Sequence, residues 1–595
     1  MRMPLLPIPF HSVPNSSSRP RARGLLLGLV AGATSLSLGT LCAQSSDGEI
    51  NQLRAQMQQM QQDYEKRLAT MESQVKTMES QVALTASVAK SRTITGPDGK
   101  AVSMEGPVLL PPLDTFTRNF KFHHYLRAGT GFTANGVGQT LQFKTPDIPH
   151  GEFRLGNEPD FYFETGPIWT HMIGDPALGE DVVDVGAKMT IGMANGVEKS
   201  TSEGLQSDNF NVFLREAYAD MKNVIKSAPE VTFWAGQRFY DRYNIDSQDY
   251  FFLDSSGFGA GVYDIPLGPG KLALAYLGGI GSGTGNFFAN GSTVPDFNDI
   301  TLNVNGGTGD LYRHVFDVRW GDVDFLYGKL KLVLIGSYQQ GGNFNIAFAN
   351  GTTGQGNVKN SGGVGGGFVQ QWDLPPSWGK LSFVQLAALY GWGLVNFDAS
   401  DVNTGLLVNS YNSALAADGI VLSPGGVANG PFRDVNPYNN SQRARVNVQW
   451  VWNPADNFSM CTWATYQFDD QGFEAFQVNS NGSISSASSN SHLFTAGIRP
   501  VYWLWGPLAI QGQLGYSYLS NNRTTGAAFG DGGSLGIFTI CPTLKPRGGF
   551  FTRPELRAFA TFAVWSDSLK GAIGSPAYVN KNYGFIFGVQ CESAF

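Results

Sequence analysis

Apolar and polar residues alternate in short segments from about Asn119 to the end of the chain. In residues 443–452 one face carries arginine and amide side chains, and the other carries Ala, Val and Trp. The last segment, residues 583–595, has the same period, with Tyr, Phe, Val and Cys on one face. Because successive side chains of a strand point to opposite faces, this period predicts β-strands. The body of the chain is therefore predicted to be all-β.

The connections between these segments fall into two classes of length. The short ones lie at 266–271, 453–457 and 506–507. The long ones are polar and rich in Gly, Asn and Ser, and they lie at 280–309, 339–366 and 400–441. Hairpins with short turns at one end and long loops at the other are typical of bacterial outer-membrane barrels. The pattern predicts a barrel over residues 119–595.

The first 118 residues are predicted to form three further parts. In residues 1–43, Arg19, Arg21 and Arg23 precede an apolar run, which predicts a secretory signal peptide cleaved after Ala43, with a membrane anchor as the alternative. Residues 44–90 contain apolar side chains at intervals of three and four, which predict a coiled coil that oligomerises. The alternative there is an amphipathic helix that lies on the rest of the chain. Residues 91–118 contain Gly-Pro and Pro-Pro steps and predict a linker.

The composition supports a membrane barrel. The chain has 41 Phe, 21 Tyr, 12 Trp and 74 Gly, and only 15% of its residues are charged, against about 25% in ordinary globular chains. The aromatic surplus fits the two interfacial girdles of such a barrel. The net charge is −7 and falls to −11 once the four arginines of residues 1–43 are removed, which argues against a nucleic-acid partner.

The sequence predicts no catalytic, cofactor or metal site. The three cysteines after residue 43 (Cys461, Cys541 and Cys591) include no CxxC pair. His123 and His124 are neighbours on a predicted strand, so they face opposite ways and are interpreted as surface histidines. The run Gly362–Gly367 lacks the Lys and Ser/Thr of a phosphate loop and is predicted to be a mobile loop. We therefore expect no enzymatic activity.

Aromatic and charged side chains share predicted strand faces. Tyr125 and Arg127 lie on one side of a strand, and Asp160, Tyr162 and Glu164 lie on one side of the next. Aromatic rings can stack on the C–H faces of sugars, while Arg and carboxylates hydrogen-bond hydroxyl groups. From the residues alone, two interpretations stay open: a sugar path, or side chains that merely keep a wet lumen polar.

Five blocks in the same order along residues 120–595 resemble the maltoporin-like carbohydrate porins, which include maltoporins and sucrose porins. They are Phe120–Gly131, Arg154–Glu158, Trp234–Arg242, Phe494–Pro500 and Arg553–Thr561. The resemblance implies an 18-stranded antiparallel transmembrane β-barrel that forms homotrimers, with its third loop folded inward. It also implies a row of lumenal aromatics flanked by polar tracks along which sugars move.

Carried over position by position, the resemblance gives a set of substrate-binding residues. These are Tyr125, Arg127, Arg154, Tyr162, Glu164, Arg215, Arg242, Asp249, Phe251, Asp254 and Trp378. The chain also departs from the family pattern, because Ala594 stands where the family has a Trp and Phe251 where it has a Tyr. These losses predict weaker oligosaccharide binding. The extension before the barrel resembles that of sucrose porins, whereas Arg242, Phe251 and Asp254 are closer to the maltoporin pattern.

The resulting hypothesis is a trimeric outer-membrane channel for facilitated diffusion of maltodextrin-like or sucrose-like oligosaccharides, with its N-terminal segment in the periplasm. Its predicted partners are the oligosaccharide, outer-membrane lipid and two further copies of the chain. The cell wall or a periplasmic protein is a candidate partner of the coiled coil. Two alternatives stay open: a general or anion-preferring porin, and a structural barrel tethered through the coiled coil.

Overall fold

We describe the chain from a computed structural model. The described residues are 93–95, 101–103, 119–136, 138, 141–146, 153–158, 161–174, 183–195, 200–201, 204–205, 211–280, 303–304, 312–347, 353–398, 410–411, 414, 433–473, 475–478, 484–487, 490–521, 532–574 and 577–594. The predicted signal peptide and coiled coil, and with them Asp160 and Phe595, lie outside these residues. None of the helices among the described residues is long and apolar enough to cross a membrane.

Eighteen strands of the described chain form one closed barrel in which each strand pairs antiparallel with its neighbours in sequence and the last pairs with the first. This confirms the predicted all-β barrel and its strand number. The strands are Phe120–Thr133 (β1), Phe161–Ile173 (β2), Asp184–Asn195 (β3), Asn211–Lys222 (β4), Thr232–Arg238 (β5), Gly257–Leu267 (β6), Gly270–Ile280 (β7), Tyr312–Phe325 (β8), Gly328–Gln339 (β9), Ser361–Asp373 (β10), Phe383–Gly393 (β11), Gln442–Ala455 (β12), Phe458–Asp470 (β13), Asn490–Trp505 (β14), Leu508–Leu519 (β15), Gly533–Leu544 (β16), Glu555–Trp565 (β17) and Tyr583–Ala594 (β18).

The described residues also form smaller elements that are not strands of the barrel. Residues Thr93–Thr95 and Ala101–Ser103, in the compact unit Met1–Leu109 and within the predicted linker, pair as antiparallel strands. Loop residues of the second unit form the short strands Ser200–Thr201, Gly204–Leu205, Tyr243–Ile245, Tyr250–Leu253, Asn303–Val304, Gly342–Ala347, Thr353–Val358, Arg433–Val435, Ala475–Val478 and Ile484–Ala487. The 3₁₀ helices of the described residues are Asp246–Gln248, Pro376–Trp378 and Asp567–Leu569.

The two ends of the barrel differ in the length of their connections. At one end the hairpins close with turns such as 268–269, 456–457 and 506–507, which confirms the predicted short connections. At the other end the connections are long, and those after β7 and β11 span residues 281–311 and 394–441. We call these the short-turn end and the long-loop end.

Inward and outward residues alternate along each wall strand. In β17, Glu555, Arg557 and Thr561 are buried inside the barrel, whereas Leu556 and Phe562 are exposed on its outer face. The predicted faces of residues 443–452 are confirmed in β12, where the arginine and amide face is buried and points into the barrel. Apolar side chains outside and polar ones inside are what a strand between lipid and a wet lumen requires.

Tryptophans of the outer face fasten the turns at the short-turn end. The indole N–H of Trp320 in β8 donates to the carbonyl of Leu267 at 3.0 Å, and Leu267 is the last residue of β6 before the turn to β7. Trp372 in β10 donates in the same way to Leu326 in the turn before β9, at 2.8 Å. Each tryptophan thus joins its strand to the preceding hairpin at the short-turn end, and aromatic residues in girdles at both ends are typical of such barrels.

Two of the long connections fold into the lumen. Loop 1 (residues 134–160) lies against β17 and β18, where Thr561 Oγ1 donates to the carbonyl of Gly156 at 2.9 Å and Gln590 Nε2 donates to the carbonyl of Glu158 at 3.1 Å. Loop 3 (residues 239–256) contacts loop 1, since the backbone N–H of Arg154 donates to the carbonyl of Ser247 at 3.1 Å.

Loop 3 also crosses to the far wall. Gln248 Nε2 donates to Thr495 Oγ1 of β14 at 3.2 Å, and the Tyr250 hydroxyl donates to Gln467 Oε1 of β13 at 2.6 Å. Arg445 Nη1 of β12 donates to the carbonyl of Phe252 at 3.0 Å. The expected inward fold of the third loop is therefore present, and it leaves the open space of the lumen on the side of β1–β6.

The prediction of a mobile loop at Gly362–Gly367 is wrong, because these residues lie inside β10. They pair with β9 on one side and β11 on the other. A Cβ atom on Gly363 would stand 2.4 Å from the backbone nitrogen of Leu394 and 2.8 Å from that of Val395. The glycines therefore allow the chain that leaves β11 to pack directly on the strand, and this close approach explains a composition that resembles a loop.

Candidate functional site

A cavity of about 730 Å³ lies between loop 3 and the wall formed by β1–β6. It brings together ten of the eleven predicted site residues. These are Tyr125, Arg127, Arg154, Tyr162, Glu164, Arg215, Arg242, Asp249, Phe251 and Asp254. The cavity therefore gathers side chains from β1, β2, β4, loop 1 and loop 3 into one site.

Strand register places the aromatic and charged side chains of β1 and β2 next to one another. Tyr125 pairs with Glu164, and Arg127 pairs with Tyr162, so all four side chains face the lumen. The rings of Tyr125 and Tyr162 lie 6.0 Å apart at 56°. Outward Leu126 and Phe163 pair on the opposite face, which is the alternation that the sequence predicted.

The tyrosine hydroxyls are held by charged neighbours. The Tyr125 hydroxyl donates to Glu592 Oε1 at 3.3 Å and accepts hydrogen bonds from Arg127 and Arg154. The Tyr162 hydroxyl donates to Glu164 Oε1. Because these hydroxyls are engaged, the ring faces and edges are the parts of the two side chains that remain to contact a solute.

Arg154, from loop 1, is fixed behind the tyrosines by three carboxylates. Its nitrogens lie 3.2 Å from Glu158, 3.0 Å from Asp246 and 3.0 Å from Glu592. Burial by itself would lower the pKa of Arg154, but the surrounding carboxylates, led by Glu592, raise it well above its usual value. Arg154 therefore stays charged and joins loop 1, loop 3 and β18.

Arg242, from loop 3, has a different environment. Its guanidinium carbon lies 3.5 Å from the ring centroid of Phe239 and 4.4 Å from that of Phe251, so the cation is held between two phenyl rings. Burial lowers the pKa of Arg242, and Asp254 opposes this effect through its charge. No carboxylate of the described residues lies within 4 Å of its nitrogens. The edge of the guanidinium is thus available to a solute in the cavity.

The remaining polar residues supply acceptors around the same space. Arg215 lies 3.4 Å from Glu164 Oε1 and 5.8 Å from the ring centroid of Tyr162. Asp249 has a left-handed backbone conformation at the end of the 3₁₀ turn, and its carboxylate lies 3.7 Å from Arg127. Asp254 accepts a hydrogen bond from the backbone N–H of Ser256 at 2.7 Å. The cavity therefore offers donors, acceptors and aromatic rings side by side.

Trp378 is separate from this cluster. It lies in the 3₁₀ helix of the turn between β10 and β11, at the short-turn end, and its side chain is 60% exposed. Its carbonyl accepts the indole hydrogen bond of Trp452 at 2.8 Å. The structure thus places Trp378 at the rim rather than in the cavity.

Sequence reasoning missed the carboxylates that neutralise the site arginines and one of its rings. Glu158 and Glu592 bind Arg127 and Arg154 from behind, and Phe239 stacks on Arg242. The alternation of β18 already placed Glu592 on the lumenal face, and Glu158 follows Arg154 by four residues. For Phe239 the sequence carries no comparable signal, because its position depends on the path of loop 3.

The two adjacent histidines have different partners. His124 faces outward, where its Nε2 lies 2.8 Å from Ser593 Oγ. His123 faces the lumen, and its Nε2 lies 3.0 Å from Thr190 Oγ1, so its interpretation as a plain surface residue needs correction. Within the part of the chain that the structure describes, no three His, Cys, Asp or Glu side chains are grouped as metal ligands. The three cysteines of the barrel have free thiols.

A closed 18-stranded barrel with an apolar outer face, a polar lumen and a loop-narrowed cavity defines the class of outer-membrane porins. The family model described as LamB porin matches residues 120–595, and the chain belongs to this family. It is therefore a transport channel of the outer membrane rather than an enzyme.

Solved barrels are also similar to this chain. OccK1 (OpdK) of Pseudomonas aeruginosa is 12% identical over 81% of this chain and 99% of that chain, with a TM-score of 0.38. The outer membrane channel DcaP of Acinetobacter baumannii is 11% identical over 80% of this chain and 97% of that chain, with a TM-score of 0.35. Both TM-scores lie below 0.5, so the assignment rests on the family match.

Proposed function

We propose that the channel conducts oligosaccharides by facilitated diffusion through the cavity beside loop 3. The observation that carries the proposal is the juxtaposition of Tyr125 and Tyr162 with the donors Arg215 and Arg242 and the acceptors Glu164 and Asp254. A sugar presents apolar C–H faces to rings and hydroxyl groups to charged side chains. A lumen that only had to stay wet would not require two paired aromatic rings among its polar side chains.

In this mechanism the arginines and carboxylates replace the water around each hydroxyl while a pyranose ring slides over the tyrosines. Tyr125 and Tyr162 hold the ring, and Arg242, fixed between two phenyl rings, presents its N–H groups without reorganising. Maltodextrin-like or sucrose-like solutes fit these groups. No chemical step is involved, and the concentration gradient drives transport.

The test is sugar titration of single-channel current. A ring stacked on a tyrosine contributes on the order of 1 kcal/mol, by analogy with the ~0.5–1.5 kcal/mol of aromatic pairs. Tyr162→Ala should therefore raise the half-blocking concentration by roughly fivefold. Tyr516→Ala is the matched control, because this tyrosine is exposed on the outer face of β15. A panel in which no sugar blocks the wild type would exclude the proposal.

A second candidate function is an anion-preferring porin without sugar specificity. The observation that favours it is Arg242, whose guanidinium has no carboxylate of the described chain within 4 Å. A cation without a close ion pair beside a constriction loop attracts anions. Two measurements distinguish the two functions. Neutral sugars block a sugar channel but not an anion channel, and the reversal potential in a salt gradient reports the preference for anions.

The assembly into trimers and the periplasmic coiled coil at residues 44–90 are also part of the proposal. The family resemblance and the seam of apolar residues support three copies. Deletion of residues 44–90 should leave a trimer in unheated SDS gels, because barrel contacts alone should hold it. Recovery only as a monomer would show that the extension is required. Loss of function with unchanged conductance would favour the tethering alternative.

A further inference from the structure

A second group of aromatic rings surrounds an arginine on the wall beside the cavity. The guanidinium carbon of Arg238, the last residue of β5, lies 4.7 Å from the ring centroid of Tyr218 and 5.3 Å from that of Tyr263. It also lies 5.1 Å from the ring centroid of Trp234 and 5.9 Å from that of Tyr240. Four rings from β4, β5, β6 and loop 3 therefore meet around one cation.

The four rings divide into a buried pair and a partly exposed pair. Trp234 and Tyr240 are each 3% exposed and stack on each other, with ring centroids 5.6 Å apart at 28°. Tyr218, Tyr263 and Arg238 are all partly exposed. The buried pair therefore supports the guanidinium from the side of the wall, and the partly exposed pair flanks it where it can meet a solute.

Strand register makes this group continuous with the cavity. Arg238 pairs with Gly257 of β6, and Gly257 lines the cavity. Arg215, which also lines the cavity, precedes Tyr218 by three residues on β4, about 10 Å at the ~3.3 Å rise of a strand. Because β4 runs from the long-loop end to the short-turn end, the group lies on the short-turn side of the cavity, along the path that a solute takes through the lumen.

The chain does not use the hydrogen-bonding edge of Arg238. No carboxylate of the described residues lies within 4 Å of its nitrogens, and its Nε and Nη1 atoms are buried without an acceptor among those residues. Glu216 does not fill this role, because Lys188 binds it at 2.6 Å and the backbone N–H of Phe239 donates to it at 3.3 Å. Nη2 is therefore the nitrogen that can donate to a group in the lumen.

A free acceptor lies on the same face as Tyr218. Asp220 follows this tyrosine by two residues on β4, so both side chains face the lumen. The Asp220 carboxylate lies over Gly186 of β3, where a Cβ atom would stand 2.4 Å from Asp220 Oδ1. Within the part of the chain that the structure describes, Asp220 has no ion pair and no hydrogen bond. The group therefore offers rings, a donor and an acceptor together.

The same combination of side chains thus occurs twice along the wall. In the cavity, Tyr162 is followed two residues later by Glu164, and an arginine lies 5.8 Å from its ring centroid. In the second group, Tyr218 is followed two residues later by Asp220, and Arg238 lies 4.7 Å from its ring centroid. The features that support sugar binding in the cavity are repeated closer to the short-turn end.

A purely structural role accounts for only half of the group. Trp234 and Tyr240 are buried, and Tyr240 also lies 5.0 Å from the guanidinium carbon of Arg319, so these two rings fix the start of loop 3. Tyr218 and Tyr263 are not needed for that contact. Water can satisfy the N–H groups of Arg238, but it gains nothing from two partly exposed rings beside them.

We propose that Tyr218, Tyr263, Arg238 and Asp220 form a second sugar subsite, which binds the part of an oligosaccharide that extends from the cavity toward the short-turn end. This inference rests on the proposed function and deepens it, because the preferred solute is then a chain long enough to occupy both places. A pyranose ring stacks on the exposed tyrosines, while its hydroxyl groups accept from Arg238 and donate to Asp220. A single sugar unit fills only one place at a time.

The test compares maltose, maltotriose and maltopentaose in titrations of single-channel current through the full-length channel. In the wild type the half-blocking concentration should fall as the sugar lengthens. Tyr218→Ala should raise it roughly fivefold for maltopentaose, which corresponds to about 1 kcal/mol, and leave it nearly unchanged for maltose. Tyr218→Phe keeps the ring and should behave as the wild type. Tyr516→Ala, on the outer face of β15, is the control for the loss of a tyrosine.

A second variant guards against a local folding defect. Tyr263→Ala should show the same dependence on sugar length as Tyr218→Ala, and the temperature of band conversion in SDS gels checks that each variant is folded. If maltopentaose blocks the wild type and both alanine variants equally, or if the variants weaken block by maltose and maltopentaose to the same extent, the second subsite is excluded and the proposed function stands. If no sugar blocks the wild type, both are excluded.

Discussion

Arginines lie on two sides of the lumen, and they differ in whether a carboxylate binds them. On the side of β8–β13, Arg319 is bound by both oxygens of Asp317 at 2.8 Å, and Arg445 by Asp398 at 2.6 Å and Gln467 at 2.8 Å. On the side of β1–β6, Arg242 has two phenyl rings and no carboxylate within 4 Å among the described residues.

The difference teaches that an inward arginine does not by itself mark the path of a solute. Arg445 is fully buried because loop 3 packs on it, so its charge serves to anchor that loop. Arg242 belongs to the same loop but faces the cavity, where its N–H groups meet water or a solute. An arginine that anchors a loop differs from one that can bind a solute in whether a carboxylate of the chain already binds its N–H groups. Residue type and strand face do not make this distinction.

The largest expected effect is a loss of stability, and it comes from an arginine on the side of β8–β13, where loop 3 packs on the wall. Arg445→Ala leaves Asp398 with one ion pair fewer and removes one of the two donors to Gln467 Oε1. Breaking a buried pair costs about 3–5 kcal/mol. Membrane yield and the temperature of band conversion in SDS gels should both fall. Arg242→Ala serves as the comparison and should fold normally. Equal losses of stability in the two variants would contradict the distinction between a loop-anchoring Arg445 and a solute-facing Arg242.

The next effect is on transport, and it comes from the side of β1–β6, where the cavity lies. Arg242→Ala removes the guanidinium that presents its edge to the cavity and should weaken sugar block by roughly tenfold, because hydrogen bonds to charged groups contribute about 1.5–3 kcal/mol. It should also shift the reversal potential toward cations. An unchanged half-blocking concentration together with an unchanged reversal potential would show that Arg242 does not face the path.

A gain of binding is expected from Ala594→Trp. Ala594 pairs with Tyr125 across β18 and β1 and is exposed on the lumenal face, so an indole there would extend the row of rings. One further ring should strengthen block by a few-fold, since it adds on the order of 1 kcal/mol. Val589→Trp, on the outer face of the same strand, is the control. Weaker block in Ala594→Trp would mean that the ring obstructs the path.

The smallest effect concerns the anchor of loop 3 at low pH. Asp241 contacts Arg319 at 3.1 Å and Lys331 at 2.6 Å. Burial alone would raise the pKa of Asp241, but these two cations lower it below its ordinary value. The folded state therefore gains stability from Asp241 above pH ~4, and loses it as the pH falls through the lowered pKa.

Asp241→Asn tests this anchor. The variant should be less stable than the wild type at pH 7, and the difference between the two should shrink as the pH falls through the lowered pKa of Asp241. Other carboxylates titrate in the same range, so the difference between the proteins is the quantity to follow. A difference that does not change with pH would contradict an ion-paired Asp241.

Most of the fold could be predicted from the sequence because its causes are local. The period of two in residues 443–452 gave the correct faces of β12, and the turn Gly506-Pro507 gave the correct hairpin between β14 and β15. The prediction of a loop at Gly362–Gly367 failed for a non-local reason, because these glycines make room for the chain that follows β11. Composition alone cannot distinguish a glycine needed for close packing from one in a loop.

The site was predictable only in part. The family resemblance supplied the residues that line the cavity, and register explains why those of β1 and β2 meet. The partners that decide what each arginine does come from distant positions, as for Arg154 and Glu592, which are 438 residues apart in sequence. No local pattern specifies such pairs, because they depend on the paths of loop 1 and loop 3.

The most direct test of the central claim is an experimental structure of the channel with a bound oligosaccharide. The account predicts a pyranose ring over Tyr125 and Tyr162, with hydroxyl groups in hydrogen-bonding distance of Arg242 and of Glu164 or Asp254. A sugar bound elsewhere in the lumen, against the wall that carries Arg319 and Arg445, would contradict it.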